Sequence, residues 1–233
     1  MTSLAYDQRR GRLQTYFNAT AVEAWAALTS DAPVSRIRQT VRAGRDRMRE
    51  TLLSWLADDL EGVRLLDAGC GTGALSVAAA HRGARVTAVD IAANLVEIAQ
   101  DRLPERMGKG RIDFHVGDML DPAFGRFGHV VAMDSLIHYP TPEIVRFLAA
   151  IAARTDQSIL FTVAPRTPAL SVMHAAGRLF PRANRAPAIE PVAPTQLTRL
   201  VDSDVGLRDW RVGRSERIVS GFYTSQAFEL VRR

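Results

Sequence analysis

Two residue types are almost missing from this 233-residue chain, which has one cysteine (Cys70) and one lysine (Lys109). A single cysteine excludes an internal disulfide and suits a reducing compartment. Aromatic residues are scarce at 7%, and no segment approaches the ~20 uninterrupted apolar residues of a transmembrane helix. The first ten residues lack the apolar core of a signal peptide. The expectation is a cytoplasmic protein. There are no internal repeats and no low-complexity linker, and the five histidines (His81, His115, His129, His138, His174) show no zinc-like spacing.

With lysine nearly gone, arginine carries the positive charge, and the net +5 is unevenly placed. Residues 1–50 hold nine basic and five acidic side chains, residues 160–233 hold eleven and six, and the middle is net acidic. The lysine shortage reads as compositional bias. The skew says more, because it puts cations where a substrate lid would lie. An anionic substrate, an anionic membrane surface or nucleic acid would each suit basic flanks.

The remaining composition, 47% apolar and 24% charged, is that of one α/β domain with an appendage. Residues 4 to about 59 read as two helices, the first running to about Leu28 with an interruption near Asn18-Ala19-Thr20, the second spanning Val34 to Leu56 after a turn at Ser30-Asp31-Ala32-Pro33. Asp31 is a candidate cap for it, with Pro33 close to its first turn. Its row Arg36, Arg38, Arg42, Arg45, Arg47, Arg49 is either a solvated face or an anion-facing one. From Val63 onward short apolar runs (63–67, 85–89, 112–116, 129–133, 158–163) alternate with helical stretches. That pattern is a doubly wound, mostly parallel sheet with right-handed crossovers. Residues 169–180 suggest a helix, 181–187 a basic proline-studded loop and 195–201 a short helix. Leu207–Gly213 and Arg217–Leu230 suggest a closing antiparallel hairpin.

The chain is organised around Leu65-Leu66-Asp67-Ala68-Gly69-Cys70-Gly71-Thr72-Gly73. An apolar strand meets an acidic residue, then three glycines at alternate positions, then a helix. Glycine is needed where the backbone turns tightly and a ligand approaches closely. The spacing Gly-x-Gly-x-Gly differs from the dinucleotide fingerprint and resembles the first motif of class I S-adenosylmethionine-dependent methyltransferases. An ordinary strand–helix turn is the plainer alternative. Ligands of open α/β sheets bind outside the carboxyl ends of the strands, where Asp67, Ala68, Asp90, Asp118 and Asp134 should converge. Asp90, ending the second strand, suits ribose hydroxyls. Asp118 suits an adenine amino group, with Ile91 and Met119 packing on the ring. Asp67 suits the glycine turn and the methionyl amino group.

The stretch after the fourth strand, Met133-Asp134-Ser135-Leu136-Ile137-His138-Tyr139-Pro140, bears on the acceptor. It lacks the Asn/Asp-Pro-Pro-aromatic run that grips a flipped base, and no paired-glutamate loop for a guanidinium is present. Together with Tyr16-Phe17-Asn18-Ala19-Thr20, Trp25, the Arg36–Trp55 helix, Leu179-Phe180-Pro181-Arg182 and Arg185-Ala186-Pro187-Ala188-Ile189, it resembles the magnesium protoporphyrin IX methyltransferases of bacteriochlorophyll synthesis. The likeness covers nearly the whole chain. One departure is Ala27-Leu28-Thr29-Ser30, where the family often carries an Arg-Ile-Tyr-Gly-like run, so a tyrosine role there does not transfer.

The resemblance implies methyl transfer from S-adenosylmethionine to a propionate carboxylate of magnesium protoporphyrin, with S-adenosylhomocysteine as the second product. Magnesium then enters only as part of the substrate. It implies an N-terminal arm or lid over residues 1–59 and a methyltransferase domain over 60–233 with a substrate-binding insertion at about 165–203. Tyr16, Phe17 and Trp25 would cover the porphyrin, and Arg182 and Arg185 would meet its propionates. His138 would orient the carboxylate; a structural histidine or a magnesium ligand are its other readings. The resemblance also suggests docking on the porphyrin-binding subunit of magnesium chelatase and peripheral contact with the photosynthetic membrane. Two other readings stay open: an O-methyltransferase for another hydrophobic small molecule such as a quinone precursor, and a nucleic-acid-binding protein on the same fold. The missing base-flipping motif and the acidic central domain argue against the second.

Overall fold

In the computed structural model, which describes residues 4–19, 27–29, 33–166 and 189–233, the alternating apolar runs form one seven-stranded sheet. Its strands are β1 (Arg64–Ala68), β2 (Arg85–Asp90), β3 (Arg111–Val116), β4 (Phe127–Ala132), β5 (Thr155–Val163), β6 (Trp210–Ser220) and β7 (Tyr223–Arg232). The order is β3-β2-β1-β4-β5-β7-β6, with β7 antiparallel to both of its neighbours and the rest parallel. The helices are α1 (Leu4–Ala19), α2 (Arg36–Ser54), α3 (Ala74–His81), α4 (Ala93–Asp101), α5 (Thr141–Ala152) and α6 (Pro194–Ser203). The expected fold class is the one observed.

Parallel strands are covered on both faces, and the chain does this with two separate cores. On one face Leu66, Ala68, Val89 and Val130 pack against α5, α6 and the buried Tyr6 and Leu13 of α1. On the other, Leu65, Val86, Ala88 and Val131 pack against α3 and against Met48, Leu52 and Leu53 of α2. Of the two arm helices, α2 packs on one face of the sheet, whereas α1 runs across the carboxyl ends of the strands, bonded to Asp118 near its start and to Asn94 near its end. Each fully buried Leu or Met contributes roughly 1.5–3 kcal/mol relative to exposure. That anchors the apolar stripe of α2 and leaves its arginines along the margin.

The structure moves two expected boundaries. Helix α2 starts at Arg36 with Ser35 as its cap, the Ser35 hydroxyl accepting from the Arg38 N–H, so the cap is Ser35 rather than Asp31. The terminal hairpin turns at Gly221-Phe222 rather than between 213 and 217, because β6 runs unbroken from Trp210 to Ser220. What reads in sequence as a strand break is a bulge between Val212 and Ser215. There the Arg214 N–H and guanidinium both donate to the buried Glu229 carboxylate, a two-point grip that bends the strand. The suggested helix at 169–180 and loop at 181–187 lie outside the described residues.

Candidate functional site

The strand-to-helix turn after β1 shows why the sequence has glycine there. Gly69, Gly71 and Gly73 have φ of 86°, 53° and 79°, a region costly for any residue with a Cβ. A Cβ on Gly69 would stand 2.4 Å from the Ser135 Cβ, whereas one on Gly71 would meet nothing within 4 Å. The turn is thus packed on one side and open on the other. The open side faces a cavity of about 380 Å³ at the carboxyl ends of β1, β2 and β4.

Besides Asp46 of α2, which pairs with Arg49, four strand-end carboxylates reach this cavity, each held differently. Asp67 is 1% exposed and accepts from the Ser76 hydroxyl at 2.6 Å, tying β1 to the first turn of α3. Burial, with the Asp90 charge adding to it, pushes the Asp67 carboxyl up to about 7. Asp90 accepts from the Gly71 N–H (2.8 Å) and the Ala92 N–H (2.9 Å). Burial raises its pKa and these backbone donors oppose the rise. Each of its oxygens keeps a second lone pair for a hydroxyl donor. Asp118 accepts from the Tyr6 hydroxyl (3.0 Å), the Arg10 guanidinium (2.6 Å) and the Leu120 N–H (2.9 Å). Helix α1 is therefore fastened to the strand end where an adenine amino group was expected. Met119 is buried beside it, with Ile91 packed partly buried against the same core.

Asp134 has φ 55°, the one non-glycine positive φ among the described residues. Its carboxylate accepts from Arg45 at 2.6 Å, from the Tyr223 hydroxyl, and from the hydroxyls of Ser225 and Thr162. This ties α2 to the ends of β4, β5 and β7. Strain of this kind costs about 1–3 kcal/mol and persists only where the surroundings over-determine it, as four side-chain donors do here.

His138 is buried at 9% exposure and lines the cavity beside Tyr139. Its ring meets the Phe17 ring edge-on at 6.0 Å, and its carbonyl accepts from Arg9 at 2.9 Å. Tyr6 stacks on Tyr139 at 5.6 Å. Burial pushes both phenols well above their ordinary range, and the Tyr6 hydroxyl donates to Asp118. Cys70 lies in the turn and lines the cavity, its thiol also pushed up by burial.

The expected cofactor residues Asp67, Gly69, Gly71, Asp90, Ile91, Asp118, Met119 and Asp134 all line this one cavity. Ala68 and Gly73 shape the turn without lining it. Of the expected substrate residues, Phe17 lines the cavity and Tyr16 does not; Tyr16 is half-buried with its ring edge on Phe17. Trp25, Arg182 and Arg185 lie outside the described residues, as does His174. Sequence reasoning missed the grips made by Arg9, Arg10 and Tyr6 and the Arg45–Asp134–Tyr223 cluster, whose partners lie 89 to 181 residues apart. No spacing rule links residues so distant. Among the described residues no group of three or more His, Cys, Asp or Glu could hold a metal ion.

Residues 132–232 match the family model of the magnesium-protoporphyrin IX methyltransferase C-terminus, and residues 65–157 match a methyltransferase domain. The chain is 50% identical over 226 residues to the magnesium-protoporphyrin O-methyltransferase of Rhodobacter capsulatus, covering 96% of this chain and 97% of the relative. A crystal structure of the magnesium protoporphyrin IX methyltransferase of Synechocystis PCC 6803 with bound SAH aligns with a TM-score of 0.83 at 28% identity, over 96% of this chain and all of that one. The ubiquinone biosynthesis O-methyltransferase of Xanthomonas oryzae is 36% identical over 132 residues, 53% of this chain and 54% of the relative.

Proposed function

This chain belongs to the magnesium-protoporphyrin O-methyltransferase family, and from that premise we propose how its residues divide the work. It is an S-adenosylmethionine-dependent enzyme that methylates magnesium protoporphyrin. The bound donor supplies an electrophilic methyl group on a sulfonium. The acceptor in this proposal is a propionate carboxylate, already ionised at neutral pH with a pKa near ~4.3. One carboxylate oxygen forms the new O–CH₃ bond as the S–CH₃ bond breaks, giving the monomethyl ester and S-adenosylhomocysteine. No proton has to move, so no general base is needed.

The chain's task is then positioning and exclusion of water, effects worth roughly 7–11 kcal/mol of barrier when complete. The cavity fits such a donor: Gly71 opens a turn that no side chain fills, and Asp90 and Asp118 present acceptors at the next two strand ends. Asp67 holds the turn through Ser76. Asp134 acts on the donor side by fixing Arg45 in the cavity wall. His138 hydrogen-bonds the acceptor carboxylate, and Phe17, with Tyr16, Trp25, Arg182 and Arg185, forms the porphyrin cover and its cationic rim. Residues 1–59 serve as the lid over a methyltransferase domain of 60–233, with 165–203 as its substrate insertion. The basic flanks support handover from the porphyrin-binding subunit of magnesium chelatase and peripheral contact with the photosynthetic membrane.

The observation that carries this reading is one cavity holding the glycine turn, the strand-end carboxylates, His138 and Phe17 together. The quinone-precursor reading has support over only about half the chain, and nucleic-acid binding rests on the basic flanks alone. The test is esterification of magnesium protoporphyrin by His138→Ala, with SAH affinity measured alongside. We expect turnover to fall roughly ten- to a hundredfold, the loss of one hydrogen bond to a charged group, with SAH binding retained. Unchanged turnover sinks the His138 role, and loss of a porphyrin absorption shift in the variant assigns it to magnesium instead.

A further inference from the structure

Among the described residues, the β3–β4 crossover leaves its part of the sheet without the expected helical cover. In a doubly wound fold that connection crosses β2 and β1 on the face opposite α3, normally as a helix. Here it holds a single 3₁₀ turn, Pro122–Phe124. Burial fades accordingly along the cross-strand row Leu66, Thr87, Asp113: fully buried, half-buried, then 58% exposed.

One row further down lie Arg64, Arg85 and Arg111, which are direct register partners on β1, β2 and β3. Register partners on parallel strands project from the same face, at about 4.8 Å per strand, so three guanidinium side chains start within about 10 Å. With Thr87 and Asp113 they line a depression of about 270 Å³, at the amino ends of the strands, opposite the methyl-transfer cavity. Like charges directly opposed across strands are unfavourable, and little here offsets them. Arg111 stands 3.8 Å from Asp113. Arg64 donates to the Phe124 carbonyl and lies over the Phe127 ring. The Arg85 guanidinium, between them, makes no hydrogen bond or ion pair to any described residue.

The geometry points to a second binding site, for a small polyanion of the phosphate class that spans two strand spacings, such as pyrophosphate or the phosphate tail of a nucleotide. Guanidinium forks bind phosphate oxygens bidentately, and Thr87 adds a hydroxyl donor at the floor.

The test is calorimetric titration of the full chain with pyrophosphate at fixed ionic strength, in saturating SAH so that the methyl-transfer cavity cannot take the anion. We expect saturable 1:1 binding, tighter than that of inorganic phosphate. Arg85→Gln should weaken it roughly ten- to a hundredfold while SAH binding and methyl transfer persist, and should melt no lower than the parent at low salt. Asp113→Asn, which removes the counter-charge, should tighten it. Absence of saturable heat, competition by SAH, or equal affinity in Arg85→Gln would each overturn the proposal, and these outcomes do not depend on the acceptor being a porphyrin.

Discussion

Replacing Asp134 by Asn isolates the charge at the strained end of β4. Asn tolerates positive φ as well as Asp does, so backbone cost is unchanged and side-chain shape is kept. What is lost is the anion facing Arg45 at 2.6 Å, in a pair whose side chains are 5% and 21% exposed. Breaking a fully buried pair costs about 3–5 kcal/mol. The residual solvent contact of Arg45 lowers this to about 2–3 kcal/mol, and the Tyr223 and Ser225 hydroxyls exchange a charged acceptor for a neutral one. For a chain of this length that corresponds to a fall in Tm of roughly 5–10 °C. Urea unfolding of Asp134→Asn, Arg45→Gln and the double variant should return a coupling of about 1–3 kcal/mol. A loss below about 0.5 kcal/mol, typical of an ordinary surface change, together with additive single effects, would refute the view that this network holds α2 in place.

Asp67 sets a pH dependence. Its folded pKa of about 7 lies above the unfolded value near ~3.9, so between them the folded state holds the extra proton. Its contribution to stability therefore declines as pH rises through that window, by at most about 1.4 kcal/mol per pH unit; unfolding free energies of Asp67→Asn from pH 4.5 to 7.5 should lack this slope. Gly69→Ala combines φ 86° with a Cβ 2.4 Å from Ser135 and should cost more than about 3 kcal/mol or abolish SAH binding, whereas Gly11→Ala, with open space around it, should be neutral or stabilising. Arg10→Gln removes the ion pair that fastens α1 to Asp118. Limited proteolysis within residues 1–30 should then quicken, and in the parent chain SAH should slow it; equal rates in the presence and absence of SAH would count against a lid.

The sheet was legible because its signals are local. Apolar runs of about five residues alternating with helical ones dictate βαβ units, and Gly69, Gly71 and Gly73 mark a backbone path that other residues resist. The strand-end positions Asp67, Asp90, Asp118 and Asp134 follow from counting along those units. The terminal hairpin was mislocated because Gly213 looks like a turn; only the buried Glu229, paired from the neighbouring strand, makes that site a bulge. The arm helices were legible as helices, but their docking was not.

Short-range periodicity and turn chemistry, encoded within a few residues, thus determined the fold class and the position of the glycine turn. Tertiary structure alone decided what each strand-end carboxylate does. Asp118 meets Tyr6 and Arg10 across more than a hundred residues, Asp134 meets Arg45 and Tyr223 across 89 in each direction, and Arg64, Arg85 and Arg111 become neighbours only in register. Such contacts depend on which faces pack together, a property of the assembled sheet that no single segment carries.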